Sequence, residues 1–293
     1  MNSSVSVITP VYNCERFIGE TIHSVLQQHY PNLEYIVLDD GSTDRTGDVI
    51  QSRFKGFPIH YERQTNVGEQ RAVNRGLLMA KGDYFMVVNA DDPLLPNAIE
   101  HLVEYMESHP DILAGYPDWN SINQDGSLKS HQSNGDYDFV RMVAYHKCLP
   151  SVGTIVRRKA IDLGILRDES FRYVGDFDYW LRLGLQSEMA RVPETLATWR
   201  HSSSQVSNER GNLMAGEHVR VIDKFFGLSD ITKEVMAIKN TALFWSRVVA
   251  AFLARDTMRI HYMKEALSLC ARELLSVGTY RALGQHAKYI MER

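Results

Sequence analysis

Two adjacent carboxylates, Asp91 and Asp92, lie three and four residues after a short apolar run and could bind a cation. The run Tyr84–Val88 is β-branched and aromatic and is too short for a helix, so it predicts a buried strand. Adjacent carboxylates at the end of such a strand repel each other, and a cation between them and an anionic ligand relieves that repulsion. The alternative for an isolated Asp-Asp pair is a simple cap for the turn at Pro93.

A second pair, Asp39 and Asp40, ends the apolar run Tyr35–Leu38. Gly41 permits a turn, and Ser42–Asp44 fit the cap and first turn of a following helix. Capping does not account for Asp39 and Asp40, because they precede the cap. A carboxylate here can accept a hydrogen bond from a ring N–H of a base or from a ribose hydroxyl, while the other member of the pair remains open to a structural role.

Strand-like and helix-like segments alternate through the first hundred residues. The predicted strands are Val5–Thr9, Leu33–Asp39, Ile59–Arg63 and Tyr84–Val88, and the predicted helices are Glu15–Gln28, Thr43–Phe54, Gly68–Ala80 and Pro96–Ser108. This alternation predicts an α/β fold with a parallel sheet covered by helices on both faces. Ligands of such sheets bind outside the carboxyl ends of the strands. Both aspartate pairs fall at those ends.

After Pro110 the alternation changes. The predicted elements there are strands at Ile112–Tyr116, Trp119–Asn123 and Val152–Arg157, a turn at Asn123–Gly126, a short helix after Arg157, and a helix at Phe177–Leu185. From Asn208 onward helical periodicity dominates, so we place a boundary near Ser207. The predicted organisation is one α/β domain over residues 1–207, with halves 1–100 and 101–207, and a C-terminal helical region over 208–293.

Charge is distributed unevenly along the 293 residues, whose net charge is −4. Residues 1–207 carry 19 Lys and Arg against 27 Asp and Glu, whereas residues 208–293 carry 13 against 9. The overall charge gives no footprint of nucleic-acid binding. The basic tail is predicted to face an anionic surface or the acidic body, with a solvated helical face as the alternative.

Cysteine usage and hydropathy bear on the compartment. The three cysteines are far apart in the sequence and show no metal-ligand spacing, which favours a reducing compartment. Residues 1–4 lead straight into the first predicted strand, so we expect no signal peptide. The most apolar helical stretch, Met236–Ala254, is interrupted by a lysine and an arginine and falls short of the roughly 20 apolar residues of a membrane span. We therefore expect a cytoplasmic protein, with peripheral contact at the inner membrane face as the alternative.

Five motifs follow one another in the order and spacing of the family 2 glycosyltransferases. They are Val5–Asn13, Asp39–Asp44, Asn66–Gly68, Ala72–Gly76 and Asn89–Asp92. Each motif alone is weak, but five in register make residues 4–207 resemble this family. The resemblance implies the GT-A fold, a Rossmann-like and mostly parallel sheet with helices on both faces, and inverting transfer from a nucleotide-diphosphate sugar. The C-terminal helical region lies outside the resemblance.

The resemblance also assigns a donor site by position. The implied nucleotide-sugar-binding residues are Thr9, Pro10, Tyr12, Asp39, Asp40, Asn66, Arg71, Asn74, Asn89 and Asp91. Asp40 matches the carboxylate that reads the base, and Asp91 matches a residue beside the sugar or ribose. Asp92 matches the last acidic residue of the family's metal motif, which holds Mg²⁺ or Mn²⁺ on the diphosphate.

Two donor-side positions depart from the family pattern. Many relatives have Asp where this chain has Asn89, so we expect weaker metal binding but not its loss, because an amide oxygen can still ligate a hard cation. Relatives often have Ala-Arg-Asn where this chain has Ala72–Asn74. Arg71 lies one helical turn from Asn74 and faces either the diphosphate or solvent.

The stretch Trp199–His201, followed by Gln205–Ser207, resembles the family's closing loop. In many relatives a histidine of this loop approaches the metal or the diphosphate, two residues after the arginine. Here His201 comes one residue after it, with Ser202 in the usual place. A metal-side role for His201 and a surface position are both open.

The segment Tyr173–Arg182 resembles the family's acidic segment on the acceptor side, and Asp176 occupies the position of the general base. Relatives more often have Glu where Gly175 stands, which leaves one carboxylate. One suffices, because inverting transfer needs a single base for the proton of the acceptor hydroxyl. The structural alternative for Asp176 is a helix N-cap. Asp178 points elsewhere on the helix and is expected to pair with Arg182.

These observations predict an inverting, metal-dependent glycosyltransferase of polysaccharide, lipid-linked glycan or glycoconjugate synthesis. The expected partners are a UDP-sugar, with GDP- and dTDP-sugars as alternatives, a glycan or lipid-linked acceptor, and a membrane surface or a second copy of the chain at the C-terminal helices. Asn89 and Gly175 raise the alternative of a non-catalytic nucleotide-sugar binder. A hydrolase with paired aspartates is disfavoured, because Thr9-Pro10 stands where it needs an Asp-x-Asp site.

Overall fold

The computed structural model describes residues 3–202 and 211–269, which fall into two compact units. Among these residues, the first unit contains 3–137, 149–170 and 186–202, and the second contains 138–148, 171–185 and 211–269. The units therefore interleave along the chain. The boundary predicted near Ser207 lies outside the described residues and stays a prediction.

The first unit is built on one eight-stranded sheet. Its strands are β1 Val5–Val11, β2 Leu33–Asp39, β3 His60–Arg63, β4 Tyr84–Val87, β5 Ala114–Ile122, β6 Leu128–Gln132, β7 Ile155–Arg157 and β8 Met189–Arg200. The helices described in the whole chain are α1 Ile18–Leu26, α2 Thr46–Arg53, α3 Glu69–Met79, α4 Ala98–Ser108, α5 Phe139–Ala144, α6 Lys159–Asp162, α7 Gly175–Gly184, α8 Asn212–Phe225, α9 Lys233–Ala237, α10 Lys239–Leu253 and α11 Asp256–Leu269. Of these, α1–α4 and α6 belong to the first unit.

The strand order is β3-β2-β1-β4-β7-β5-β6, with β8 beside β5. β1 is parallel to β2 and β4, and β2 is parallel to β3, so the carboxyl ends of four adjacent strands meet at one edge. β7 is antiparallel to both β4 and β5, whereas β8 runs parallel to β5. The predicted α/β fold with a mostly parallel sheet is confirmed.

The central position of β1 follows from its composition. All seven of its residues are buried, as expected for a strand covered on both faces. The apolar sides of α1 and α4 pack into the same core, with Ile18, Ile22 and Val25 spaced at helical intervals. Gly76 of α3 lets that helix approach β1 closely, because a Cβ at this position would collide with Ile8.

Beyond the first hundred residues the strand predictions were partly wrong. β5 is one continuous strand where two were predicted, and Pro117 lies at a register shift against β8, where the ladder is irregular. β6 and β8 were not predicted, because β6 is polar and largely exposed and Pro193-Glu194 interrupts the apolar alternation of β8. The turn at 123–126 and the short α6 were predicted correctly. The predicted strand Val152–Arg157 is shorter in the structure, where β7 begins at Ile155, and the predicted helix Phe177–Leu185 begins two residues earlier, at Gly175.

The second unit is helical in its described residues. Small side chains of α8 and α10 pack with Tyr262 of α11, and Phe244 and Trp245 form a separate apolar cluster with Ala266. The predicted helical character of the C-terminal region therefore holds for residues 211–269. Within the described part of the chain, none of the helices combines the length and apolarity needed to cross a bilayer.

Candidate active site

Asp40 ties the ends of β2 and β3 together. Its Oδ1 accepts hydrogen bonds from Gln64 Nε2 at 2.8 Å and the Val67 amide at 2.9 Å, and its Oδ2 accepts one from the Gly68 amide at 2.8 Å. Gly41 has φ +77°, and a Cβ on it would lie 2.7 Å from the amide nitrogen of Asn66, so only glycine fits this close approach. An ionised carboxylate offers about four acceptor positions. Asp40 is 3% exposed and accepts three hydrogen bonds from the protein, so its contact with a base stays a prediction.

Asp39 has a structural role. Its side chain is fully buried, with Oδ1 accepting from the Ser42 amide at 2.8 Å and Oδ2 accepting from the Tyr61 hydroxyl at 3.1 Å. Burial, together with the charge of Asp39, raises the pKa of Tyr61 to about 12, so the phenol stays a donor. Both adjacent aspartates are therefore buried and hydrogen-bonded, and the base-reading role of Asp40 stays a prediction.

Ser42–Asp44 do not cap α2 in the predicted register. The helix begins at Thr46, whose amide donates to Asp44 Oδ1 at 2.9 Å. Ser42 Oγ instead accepts the Asn13 amide at 3.0 Å, and Asn13 Oδ1 accepts the Thr43 amide at 2.7 Å. These bonds join the loop after β1 to the loop after β2, which sets the shape of the strand ends.

Among the residues predicted to line the nucleotide pocket at the carboxyl end of β1, Tyr12 has a side chain exposed to solvent. Thr9 is fully buried, with Oγ1 3.2 Å from the Tyr35 hydroxyl, and Pro10 is also buried. Tyr12 is 50% exposed. Thr9 and Pro10 therefore offer a ligand at most their backbone, whereas Tyr12 offers a ring.

Asn89, Asp91 and Asp92 lie just after β4. Asp92 is buried, its Oδ1 accepts the Arg200 amide at 2.8 Å, and its Oδ2 accepts Asn89 Nδ2 at 2.9 Å. Burial raises the pKa of both aspartates, and the charge of Asp91 raises that of Asp92 further. Two repelling, poorly solvated carboxylates beside an amide oxygen form a hard donor set that fits Mg²⁺ or Mn²⁺. Among the described residues, no group of three or more His, Cys, Asp or Glu side chains is arranged to hold a metal ion.

Arg200, at the end of β8, is the site residue that sequence reasoning missed. It is 1% exposed, and its guanidinium donates to the carbonyl of Asp91 at 2.9 Å, to that of Gln124 at 3.1 Å and to Glu20 Oε2 at 2.7 Å. The same group lies 4.9 Å from the centre of the Phe17 ring. Arg200 thus fixes the backbone of Asp91 with its side chain and the carboxylate of Asp92 with its amide. The motif Trp199–His201 contains Arg200, but the burial of this residue depends on strand β8, which was not predicted.

His201 faces β5 and β6. Its Nε2 lies 2.6 Å from Ser121 Oγ and 3.3 Å from Lys129 Nζ, and its ring packs against Trp199 with centroids 4.4 Å apart. Burial, and then the charge of Lys129, lower its pKa, so the ring is neutral near pH 7. The predicted metal-side role of His201 stays a prediction, and Gln205–Ser207 of the same motif lie outside the described residues.

Arg71 and Asn74 of α3 both contact residues 167–169. Arg71 is exposed, and its Nε donates to Glu169 Oε2 at 2.9 Å. Asn74 is buried, accepting the Arg167 amide at 2.8 Å and donating to the Arg167 carbonyl at 2.9 Å. The two residues share a face of α3 as predicted, but both polar atoms of the Asn74 side chain bond to the backbone of Arg167 in the loop at 167–169. Asn66, which directly precedes the Val67 amide that donates to Asp40, is exposed.

Asp176 lies in the second unit, at the start of α7. The N-cap is Val174 and Asp176 is the second residue of the helix, so the N-cap alternative is wrong. Its side chain is exposed, and its Oδ1 accepts the amide of Phe177 at 2.7 Å. Negative charge in a first helical turn is favoured by the helix dipole. Asp178 is paired with Arg182 at 2.8 Å, as predicted, which leaves Asp176 as the exposed carboxylate of this turn.

Residues 6–168 match the family model for glycosyl transferase family 2. The chain belongs to this family. Among curated relatives, an uncharacterised glycosyltransferase of Rickettsia prowazekii is 29% identical over 302 residues, spanning 99% of this chain and 91% of its own. Glycosyl transfer is accordingly the reaction class of this chain.

Solved glycosyltransferases share the fold. TarS 1–349 of S. aureus, in complex with UDP-GlcNAc, aligns with a TM-score of 0.68 at 19% identity over 85% of this chain and 72% of its own. The mannosyltransferase PcManGT of Pyrobaculum calidifontis, in complex with GDP-Man and Mn²⁺, aligns with a TM-score of 0.64 at 15% identity over 99% and 81%. The expected GT-A fold is confirmed.

In this family 2 member the first unit brings the residues assigned to the donor site to the carboxyl edge of the sheet. Asp40 and Asn66 lie at the β2–β3 side, and Asn89, Asp91 and Asp92 follow β4, with β1 between. Two strand spacings separate the ends of β2 and β4 by about 10 Å. The assigned residues therefore form two groups along one edge, with Asp176 in the other unit.

Cys14 follows β1 near this edge, in surroundings that disfavour the reactive thiolate. Burial, and then the charge of Asp91, raise its thiol pKa to about 12. The thiol is therefore protonated at physiological pH, and only the thiolate would be reactive.

Proposed function

We propose that this glycosyltransferase moves a sugar, with inversion at the anomeric carbon, from a nucleotide-diphosphate sugar to a hydroxyl of a glycan or lipid-linked acceptor. The observation that carries the proposal is the pair of half-buried Asp91 and buried Asp92, held by Arg200 on the same edge as Asp40. With the base at Asp40 and the diphosphate at Asp92, a nucleotide would lie across the end of β1 over about 10 Å. A UDP-sugar is the first candidate donor, with GDP- and dTDP-sugars as alternatives.

The structural neighbours support a donor of this class. TarS is described with UDP-GlcNAc and with UDP, and PcManGT with GDP-Man and Mn²⁺. These ligands belong to those proteins. They support a nucleotide sugar and a divalent cation as the ligands to test here.

Each donor-site side chain has a proposed task. Asp92, with the amide oxygen of Asn89, would hold Mg²⁺ or Mn²⁺, and Asp91 would contact the sugar or the ribose. When bound, the cation offsets the charge that develops on the departing nucleoside diphosphate. Asp40 accepts a hydrogen bond from the base, while Tyr12 packs beside the nucleotide.

The remaining assigned residues act at the rim of the donor site. Asn66 and Arg71 are exposed and able to contact the nucleotide, although Arg71 would have to leave or share Glu169. His201 is neutral and suited to a hydrogen bond with the diphosphate or to a metal contact. Thr9 and Pro10 contribute backbone atoms.

Asp176 supplies the base in this proposal. Its exposed carboxylate takes the proton of the acceptor hydroxyl as that oxygen forms a bond to the anomeric carbon. The bond between the anomeric carbon and the diphosphate oxygen breaks at the same time, and its electron pair leaves with the nucleotide. The pathway we propose is polysaccharide, lipid-linked glycan or glycoconjugate synthesis.

A non-catalytic nucleotide-sugar binder is the second candidate, raised by Asn89 and Gly175. It would share the donor site but lack turnover. The retained Asp92 and the exposed Asp176 favour the enzyme, because a binder has no need of a general base.

A thermal-shift panel tests the donor site. The panel contains UDP, GDP, dTDP and their sugars, each with Mg²⁺, with Mn²⁺ or with EDTA. A ligand selective for the folded chain raises Tm in proportion to RT ln(1 + [L]/Kd). We expect a shift with uridine compounds and metal, a smaller shift in EDTA, and loss of the metal effect in Asp92→Asn but not in the matched exposed control Asp111→Asn.

Three outcomes contradict parts of the proposal. No shift with any nucleotide would reject the donor site. An unchanged shift in EDTA would remove the metal role from Asp92. A metal-dependent shift without release of nucleoside diphosphate from any sugar donor, with water and alkyl glycosides as acceptors, would favour the non-catalytic binder.

A further inference from the structure

Helix α8 presents three charged residues, Glu217, Arg220 and Lys224, on one face of the helix. All three contact residues 171–178, the segment that leads into α7 and carries Asp176. Both elements belong to the second unit. The family model ends at residue 168, so this contact lies beyond the part of the chain that the model matches.

Glu217 fixes the backbone just before α7. It is only 4% exposed, and both of its carboxylate oxygens lie 3.0 Å from the Arg172 amide nitrogen, while Oε2 also accepts the Tyr173 amide at 2.7 Å. A buried carboxylate is costly unless it is hydrogen-bonded. Here the compensation comes from two backbone N–H groups located three and four residues before Asp176. Glu217 therefore sets the path of the chain into the first turn of α7.

Lys224 fixes the segment on the other side of Asp176. Its Nζ donates to Asp178 Oδ1 at 2.5 Å and lies 5.2 Å from the centre of the Phe171 ring. The guanidinium of Arg220 lies 4.5 Å from the centre of the same ring. The segment is thus held at residue 171, at residues 172–173 and at residue 178, with Asp176 exposed between these anchors.

We propose that Glu217 and Lys224 are positioning residues for Asp176, so that α8 is a working part of the transferase site. The inference rests on the proposed role of Asp176 as the general base. A base must stay within hydrogen-bond reach of the hydroxyl it deprotonates, and a misplacement of about 1 Å costs on the order of 100-fold in rate. The anchors on α8 hold the base in place without touching the substrate.

Two substitutions loosen these anchors with little change in volume. In Glu217→Gln, one acceptor oxygen becomes an NH₂ group that faces the backbone N–H donors of Arg172 and Tyr173. In Lys224→Gln, the charge that holds Asp178 is lost. The matched control is Glu234→Gln, an exposed glutamate on α9 of the same unit.

The experiment uses the full chain with Mn²⁺ and measures release of nucleoside diphosphate from UDP-N-acetylglucosamine, UDP-glucose and GDP-mannose, with water and octyl glycosides as acceptors. We expect kcat to fall about 10- to 100-fold in E217Q and K224Q, with the donor KM within about twofold of wild type. E234Q keeps the wild-type kcat. We expect the residual kcat of D176N to be unchanged when E217Q is added, because the effects of substitutions that act through one group are not additive.

The outcomes separate this inference from the proposed function. Two results overturn the positioning role alone. One is a wild-type kcat in both E217Q and K224Q. The other is that E217Q lowers the rate of D176N by the same factor as it lowers the rate of the wild-type chain. A wild-type chain that releases no nucleotide, or a D176N variant with full turnover, overturns the proposed function and this inference with it. If E217Q fails to fold by circular dichroism, K224Q decides the matter, because that side chain is one-third exposed and its loss is better tolerated.

Discussion

The side-chain nitrogen of Asn89 donates a hydrogen bond to Asp92, which leaves the side-chain oxygen of Asn89 as the atom available to a cation. Burial, and then the neighbouring charge of Asp91, raise the pKa of Asp92, so a third carboxylate at position 89 would add repulsion to a pair that already lacks solvation. The departure from the family pattern at this position therefore lowers the charge of the site while keeping an oxygen ligand. This is the physical basis for expecting weaker metal binding.

Asp176 is the residue whose loss should affect the chemical step alone. We expect Asp176→Asn to lower kcat by about 10²- to 10⁴-fold, the usual contribution of a general base. The Kd of the donor should stay near wild type, because the donor-side residues lie in the first unit. Nucleoside diphosphate release and calorimetric donor titration measure the two quantities.

The matched control for Asp176→Asn is Asp230→Asn, an exposed carboxylate of the second unit. It should leave both quantities unchanged. Turnover retained in Asp176→Asn would end the assignment of this residue as the base.

Arg200 should matter for both stability and donor binding. In Arg200→Lys a single ammonium replaces a guanidinium that donates to Asp91, Gln124 and Glu20. The guanidinium also donates to the Asn123 carbonyl at 3.3 Å, so the three N–H groups of an ammonium would face four acceptors. At least one part-buried acceptor loses its donor, so we expect the free energy of unfolding to fall by about 2 kcal/mol. Donor affinity should fall as well, because the backbone of Asp91 is no longer fixed.

Arg191→Lys on the same strand provides the comparison. Arg191 pairs with Asp118 at 2.6 Å, away from the aspartate pair. Its substitution should lower stability without changing the Kd of UDP in the presence of Mn²⁺. An equal loss of UDP affinity in both variants would show that Arg200 acts through global stability only.

At the scale of elements, two packed pairs determine the sites. β8 runs parallel to β5 and delivers Arg200 to the loop after β4, and α8 packs against the entry to α7. Neither pair joins neighbours in sequence: Arg200 and Glu20 are 180 positions apart, and Glu217 and Arg172 are 45 apart. The side chains were visible in the sequence, but their partners were not.

The partly buried His218 of α8, which contacts the buried His146, should make stability depend on pH. His218 Nδ1 lies 2.7 Å from Nε2 of His146, and burial lowers the pKa of His218 to about 4. In the unfolded chain a histidine titrates near 6.5. Between these values the unfolded state binds the extra proton, so stability is unaffected above about pH 6.5 and falls as the pH drops toward 4, by about 3 kcal/mol.

Urea unfolding between pH 4 and 7 measures this dependence. His218→Asn keeps a polar atom near the position of Nδ1 and should remove most of the dependence. His261→Asn, at an exposed position of α11, should leave it intact. The same acid loss of stability in His218→Asn as in wild type would contradict the assignment.

At the scale of the whole molecule, the charge asymmetry concerns where the enzyme works. We propose that the basic C-terminal region contacts an anionic membrane that carries a lipid-linked acceptor, with dimerisation through the same helices as the alternative. Each Lys or Arg near such a surface contributes ~1 kcal/mol, and salt screens the effect. The full chain should therefore bind vesicles of anionic lipid at low salt and leave neutral vesicles unbound.

Charge reversal tests this proposal. Lys233, Arg255 and Lys264 are exposed in the helical unit, and their replacement by Glu should abolish vesicle binding. The same replacement at Lys55, Lys81 and Lys159 of the first unit is the control. Absence of binding by the wild-type chain, together with concentration-dependent self-association in sedimentation equilibrium, would favour the dimer.

Local pattern alone determined the family, the parallel half of the sheet and the place of the aspartate pairs. Periodicity and turn residues are properties of neighbours in sequence, so β1 to β4 and the polar residues at their ends could be predicted from them. The Asp178–Arg182 pair was predictable for the same reason, since it joins residues one helical turn apart.

The tertiary structure decided which partners these residues have. Asp39 and Asp40 look alike in sequence, but the first accepts hydrogen bonds from Tyr61 and Ser42, whereas the second accepts them from Gln64 and from the amides of Val67 and Gly68. The burial of Arg200 and of Glu217 likewise depends on contacts between distant segments. Burial and hydrogen-bond partners arise from long-range packing, which hydrophobic periodicity does not encode, so the roles of identical side chains become distinct only in the folded chain.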